Sequence, residues 1–314
     1  MTQRKPSCIV LGGGGFLGIN LCRRLVADGF RVRAFGRRRL FSDPLDGVEW
    51  YQGDFCDPTT LAAAIESFDV VFHLVHATVP QSASLSMAED VHKSVIPSIA
   101  LLDICRKLGV ARVIFLSSGG TVYGQPHAIP TPETAPTEPI TAYGIHKLII
   151  EKYLSLYDYL YELDYRVLRV TNPFGPFQTP LKGQGVIAAL ISRALKKEPM
   201  EIWGDGMVVR DFIFVDDVTD ALLAAAKDQS SARIFNIGSG QGRSVREVIA
   251  VIEHLLGDKL DVSFTAGRAI DVPVSIVAVD RARDILGWMP KTPFEAGLRK
   301  TIQWWQEQSF HQVR

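Results

Sequence analysis

Short runs of β-branched and apolar residues alternate with longer amphipathic segments from the start of the chain. CIVLGG is followed by a helical pattern through Leu21 to Asp28, then by RVRAF, a helix near Pro58 to Glu66, and VVFHLV. ARVIFLSS and YRVLRV continue the series, separated by long helical segments over Met87 to Leu108 and Ala142 to Leu163. Strand, helix and strand repeated in this way predict an α/β fold, a doubly wound parallel sheet with helices on both faces.

The pattern changes after Asn172. Gly and Pro become frequent in NPFGPFQTPLKGQG, and the alternation turns irregular through EIWGDGMVVRDFIFVDD and FNIGSGQGRS. Residues 1–171 are therefore read as one doubly wound domain. Residues 172–314 are read as a smaller region, interleaved with the first and closing over a substrate cleft. YDYLYELDY reads as the end of an amphipathic helix whose aromatics serve packing or dimer contacts, and LRKTIQWWQEQ as a tail helix whose Trp304 and Trp305 pack on the substrate region.

Composition narrows the partners. A hydrophobic content of 47% over 314 residues supports a substantial core. Thirty-four basic residues balance 34 acidic ones, which removes any electrostatic draw to nucleic acid or anionic membrane and leaves a small molecule as the expected partner. MTQRKPSCIV lacks the apolar core of a signal peptide, and no apolar run approaches a membrane span, so a cytoplasmic protein is expected. Cys8, Cys22, Cys56 and Cys105 are scattered without a C-x-x-C pair, fitting buried reduced thiols. His73 and His76, in FHLVHA, have no third ligand close by in sequence, so packing is expected of them and no metal.

The candidate chemistry begins at IVLGGGGFLG. Gly12, Gly15 and Gly18 follow a strand and precede a helix, and Phe16 and Leu17 lie in the same turn. Glycines so arranged allow a tight turn, close approach of backbone N–H groups to a pyrophosphate, and tight helix packing, the Rossmann dinucleotide-binding arrangement. At the end of the second strand the acidic residue that favours NAD is absent. Gly36 stands there, followed by Arg37, Arg38 and Arg39, so NADP is not excluded, and a solvated basic loop is the plainer reading.

Tyr143 and Lys147, in AYGIHK, are spaced i, i+4 and fall on one face of a helix. Positive charge from the lysine and from an oxidised nicotinamide would lower the phenol pKa and make Tyr143 a base.

With these motifs in order, the chain resembles the extended short-chain dehydrogenase/reductases, and among them the UDP-sugar 4-epimerases acting on UDP-glucose and UDP-N-acetylglucosamine. The glycine loop, GDFCD, FHLVHA, SSGGTVYG, YGIHK, LRVTNPFGP, VVRDFIFVDDV, FNIGSGQGRSV and RAIDVP all fall in family order. The resemblance implies a bound NAD, with Asp54 meeting the adenine amine and Phe55 beside it. It implies Asn172 on the nucleotide sugar, Arg210 and Arg268 on the pyrophosphate, and Asp271 on the uridine ribose. It also implies a homodimer built on the two long helices. Two positions depart from the family pattern. Gly119 occupies the place of the usual catalytic hydroxyl, leaving Ser118, which is favoured, or Thr121 to supply it, and Ser94 replaces a helix asparagine.

The reaction so implied is C4 epimerisation through a transient 4-keto sugar, with Tyr143 as base and Lys147 holding the cofactor ribose. Gly119 and Gly120 stand where dehydratases and decarboxylases carry proton-transfer groups, which disfavours both reactions. Ser275, two residues beyond the proline of DVPVS, replaces a bulky residue that in hexose-restricted epimerases crowds the sugar C2 substituent. UDP-N-acetylglucosamine is therefore the expected substrate, with cell-surface polysaccharide synthesis as its setting. The alternatives are an NADPH-dependent 4-ketosugar reductase and a catalytically silent NADP-sensing regulator.

Overall fold

The computed structural model describes residues 6–39, 45–76, 87–180, 185–267 and 272–311. Seven parallel strands form the main sheet: β1 (Ser7–Leu11), β2 (Arg31–Gly36), β3 (Val48–Gln52), β4 (Val70–His73), β5 (Arg112–Ser118), β6 (Tyr165–Val170) and β10 (Ile234–Ile237). Their order is β3-β2-β1-β4-β5-β6-β10, so the direction of winding reverses between β1 and β4. Ligands of open α/β sheets bind at that reversal, outside the carboxyl ends of the strands.

Two hydrophobic layers hold helices to the sheet. On one face Leu21, Cys22 and Leu25 of the Phe16–Ala27 helix and Val218, Ala221 and Leu222 of the Val215–Lys227 helix pack against Val10, Phe72 and Ile114. On the other, Leu61 and Ile65 of Pro58–Ile65, Leu101 and Cys105 of Ile96–Leu108, and Ile150 and Leu154 of Ala142–Tyr161 cover Ile9, Val71 and Phe115. Each of these strands contributes alternate residues to opposite faces, which is why its sequence reads as an unbroken apolar run.

The helix ends follow local chemistry. Pro58 sits in the first turn behind Asp57, whose side chain accepts from the Thr59 N–H at 3.0 Å. Thr141 caps the Ala142–Tyr161 helix by accepting from the Gly144 N–H at 3.2 Å. The first helix opens directly after Gly15 rather than at Leu21. The long segment read over Met87 to Leu108 is helical but contains a π-helical turn, Val91–Val95, between Met87–Asp90 and Ile96–Leu108.

The second region contains β7 (Asn172–Phe174), β8 (Met200–Trp203), β9 (Val209–Phe214), β11 (Gly242–Ser244), β12 (Val262–Thr265) and β13 (Val274–Ser275). β9 is the hub, paired with β7, β11 and β13, while β8 pairs with β12. A third hydrophobic cluster, with Phe174, Ile191, Phe212, Val248 and Leu298, holds it together. The last strand of the main sheet, β10, and one covering helix, Val215–Lys227, come from beyond residue 171. The tail helix docks as expected, with the Trp304 ring 5.2 Å from Phe177. Among the described residues no helix is long and apolar enough to cross a membrane.

Candidate active site

The glycine turn is built by close backbone packing. A Cβ on Gly18 would lie 2.2 Å from the Gly12 carbonyl oxygen, so only glycine lets the helix sit this near the strand. Gly15 caps that helix with no side-chain hydrogen bond, leaving the N–H groups of the first turn, at Phe16 and Leu17, to an anion from outside the chain. These features fit the pyrophosphate of a dinucleotide.

The neighbouring strand ends supply the rest of the cofactor edge. Arg37 and Asp54 are both exposed there, where the Gly53 N–H donates to the Gly36 carbonyl at 3.1 Å. The Asp54 carboxylate accepts from the Cys56 N–H at 2.9 Å. Phe55 is buried against His73 with ring centroids 5.0 Å apart, so its side chain belongs to the core and its backbone to the cleft edge.

Tyr143 and Lys147 face the carboxyl end of β5 from the start of the Ala142–Tyr161 helix. The Lys147 ammonium is buried, donates to the Leu116 carbonyl at 2.7 Å, and lies 5.6 Å from the Tyr143 ring centroid. Burial pulls its pKa down to about 7, against the opposing pull of Glu151 and Asp90. Burial, and then the Asp90 carboxylate, push the Tyr143 phenol above its ordinary value. The lowering expected from neighbouring positive charge is thus outweighed in the protein alone, because desolvation of the phenolate is the larger influence.

A cavity of about 400 Å³ opens beside this pair. Its walls bring together Phe16, Leu17, Ser118, Thr121, Tyr143, Asn172 and Arg210, from both regions of the chain. Asn172 is oriented by donating to the Asp211 carbonyl at 3.1 Å, and Arg210 donates to the Val272 carbonyl at 2.6 Å. Ser275 is not in the cavity wall; it lies in β13, paired in register with Arg210 of β9. Arg268 and Asp271 lie outside the described residues.

Three groups escape the sequence reading. Glu151 accepts from the Ser117 hydroxyl at 2.5 Å and from the Arg169 guanidinium at 2.6 Å, tying β5, β6 and the Tyr143 helix together. The fully buried Asp211 accepts from the Ser239 hydroxyl and backbone N–H, both at 2.7 Å, and fixes the backbone next to Arg210. His76 does acquire further metal-type donors, Asp90 and His146, whose donor atoms lie with its own within 4.8 Å of one another. Residues 76, 90 and 146 meet only through the fold, so spacing could not reveal them.

Residues 8–238 match the model of the NAD dependent epimerase/dehydratase family. A UDP-glucose 4-epimerase of Mycolicibacterium smegmatis is 33% identical over 96% of this chain and 99% of its own. The crystal structure of UDP-glucose 4-epimerase with UDP-glucose from Thermotoga maritima superposes with a TM-score of 0.90 at 32% identity, covering 96% of this chain and 99% of that one. A UDP-N-acetylglucosamine 4-epimerase from Methanobrevibacter ruminantium, in complex with UDP-N-acetylmuramic acid, gives 0.89 at 26% identity, covering 98% and 100%. The chain belongs to the NAD dependent epimerase/dehydratase family, with NAD as its cofactor. Within that family it is an extended short-chain dehydrogenase/reductase of the UDP-sugar 4-epimerase type.

Proposed function

We propose that this enzyme interconverts the C4 epimers of a UDP-hexose, with UDP-N-acetylglucosamine and UDP-N-acetylgalactosamine as the preferred pair. The observation that carries this reading is the cavity wall. It brings Tyr143, Ser118, Thr121, Asn172 and Arg210, from both regions of the chain, around one space beside the glycine-turn residues Phe16 and Leu17.

Bound at the glycine turn, NAD supplies a hydride acceptor and donor. Tyr143 takes the proton from the sugar 4-hydroxyl and later returns it. The buried Lys147 would hold the cofactor ribose. Ser118, or Thr121, hydrogen-bonds the reacting oxygen. Asn172 orients the sugar, and Arg210 neutralises the pyrophosphate, the role also assigned to Arg268, with Asp271 on the uridine ribose. Hydride removed and returned leaves no net oxidation. Gly119 and Gly120 offer no proton-transfer group for eliminating water.

The M. ruminantium enzyme, a structural relative named for UDP-N-acetylglucosamine, supports the N-acetyl preference, whereas Ser275, outside the cavity wall, does not add to it. Homodimerisation is supported by apolar side chains left exposed on the two long helices, among them Ile96, Leu156, Tyr159 and Leu160.

The deciding experiment incubates the purified protein with UDP-N-acetylglucosamine and, separately, UDP-glucose, with no added cofactor, and follows the C4 epimer by NMR with Tyr143→Phe as control. Faster conversion of the N-acetylated sugar, abolished in the variant, is expected. Conversion of UDP-glucose alone would overturn the substrate assignment, and turnover of a 4-keto sugar only with NADPH would replace epimerisation by reduction.

A further inference from the structure

Beneath Tyr143 lies a buried polar network that the mechanism above does not use. Asp90 is 1% exposed and stands where the helix enters its π turn, a distortion that recurs at functional sites. One carboxylate oxygen accepts from the Ser94 hydroxyl at 2.8 Å; the other meets His146 Nδ1 at 2.6 Å and His76 Nε2 at 3.7 Å. The network continues along one helix face, where the Ser98 hydroxyl donates to the Ser94 carbonyl at 2.6 Å and meets His73 Nε2 at 2.8 Å. A buried carboxylate is costly unless partners surround it, so this one requires an explanation beyond packing.

Three elements converge here. His76 follows β4, Asp90 lies on the neighbouring helix, and His146 directly precedes Lys147. The His76 ring stands edge-on to Tyr143, with centroids 4.6 Å apart and planes at 73°. His76 therefore sits between the carboxylate and the catalytic phenol. Among the described residues neither ring nitrogen has a partner within hydrogen-bond distance, and the Asp90 carboxylate stands 3.7 Å from Nε2.

We infer that Asp90 anchors His76 and His146 beneath Tyr143 and that His76 carries this position to Tyr143, making Asp90 and His76 positioning residues. This rests on Tyr143 and Lys147 performing the chemistry proposed above. The charged and titratable groups facing the pair are His73 and His76 beyond β4, Asp90 on its helix, His146 and Glu151 on the Tyr143 helix, and Arg169 of β6, which is paired with Glu151. The same donors could ligate a divalent cation, but such an ion would add two positive charges next to Lys147 against a single carboxylate. The charge balance favours the network without one.

The test measures kcat and KM from pH 5 to 10 for the holoenzyme and its Asp90→Asn, His76→Ala, His76→Phe and Tyr143→Phe variants. Asp90→Asn is expected to lower kcat about tenfold at unchanged KM, because His76 loses its anchor. An unaltered kcat in Asp90→Asn would overturn the anchoring role. His76→Ala is expected to lower kcat about tenfold at unchanged KM through misplacement of Tyr143, and His76→Phe, which restores an edge-on ring, to recover most of it. Equal losses in the two His76 variants would overturn the positioning role, and this pair decides the matter if Asp90→Asn does not fold. Elemental analysis showing one transition-metal ion per chain, lost in Asp90→Asn, would overturn the inference in favour of a metal site. An active Tyr143→Phe enzyme would overturn the underlying mechanism, whereas an inactive one with equal losses in the two His76 variants overturns this inference alone.

Discussion

A Cβ on Gly119 would lie 2.8 Å from the carbonyl oxygen of Arg169. The Gly119 N–H meanwhile donates to the Val170 carbonyl at 2.9 Å, holding the residue against β6. Gly119→Ser therefore overpacks the strand end and is expected to cost about 1–3 kcal/mol, measured by urea denaturation. In the proposed mechanism a neighbour, Ser118 or Thr121, supplies the hydroxyl for the reacting oxygen. Ser118→Ala is expected to lower kcat roughly 10²-fold, with a smaller loss for Thr121→Ala, as measured by steady-state kinetics.

Lys147 makes stability depend on pH in a direction opposite to that of a salt-bridged lysine. Its pKa is about 7 in the folded chain and near the ordinary value of 10.5 when unfolded. Between these values the unfolded state binds more protons, so this group's contribution to stability rises with pH from about 7 to 10.5 and is smallest below 7. Lys147→Met is expected to raise the melting temperature at pH 6 by roughly 2–4 °C, with the difference from the unaltered protein shrinking at pH 9. Calorimetry of both cofactor-free proteins checks this, and the variant should lose activity.

Glu151 and Arg169 form a buried ion pair, with side chains 3% and 4% exposed. Glu151→Ala leaves the guanidinium without its principal counter-ion, and a destabilisation of about 3–5 kcal/mol is expected. Chemical denaturation measures it, and a loss below 1 kcal/mol would mean that Tyr123, which accepts from Arg169 at 2.9 Å, compensates.

Gly18→Ala forces the first helix away from Gly12, whose carbonyl oxygen a new Cβ would approach to 2.2 Å. The helix N-terminus then leaves its position for the pyrophosphate. The purified variant is expected to carry little NAD, measured by absorbance of the acid-released cofactor, while its circular dichroism stays near that of the unaltered chain.

The motifs were legible wherever the chemistry is local. Tyr143 and Lys147 needed only helical spacing, and the glycine loop needed only its position between a strand and a helix. Ser118 and Thr121 could be named as substitutes because Gly119 has no side chain, although the carbonyl that excludes one comes from β6 and was invisible. Phe55 was assigned to the cofactor edge by motif, yet its ring is turned into the core against His73. In the chain without its cofactor the Tyr143 phenol is pushed up by burial and by Asp90, both products of the fold and neither visible in the i, i+4 spacing.

By itself the sequence determined the strand and helix alternation, the dinucleotide turn and the Tyr–Lys pair, because each depends on a periodicity or spacing spanning only a few residues. The tertiary structure alone decided that β10 would close the main sheet, that Glu151 would pair with Arg169, and that His76, Asp90 and His146 would meet beneath Tyr143. Those contacts join residues far apart in the chain, and they exist because burying the helices on both faces of the sheet carries their polar side chains inward, where each must find a partner.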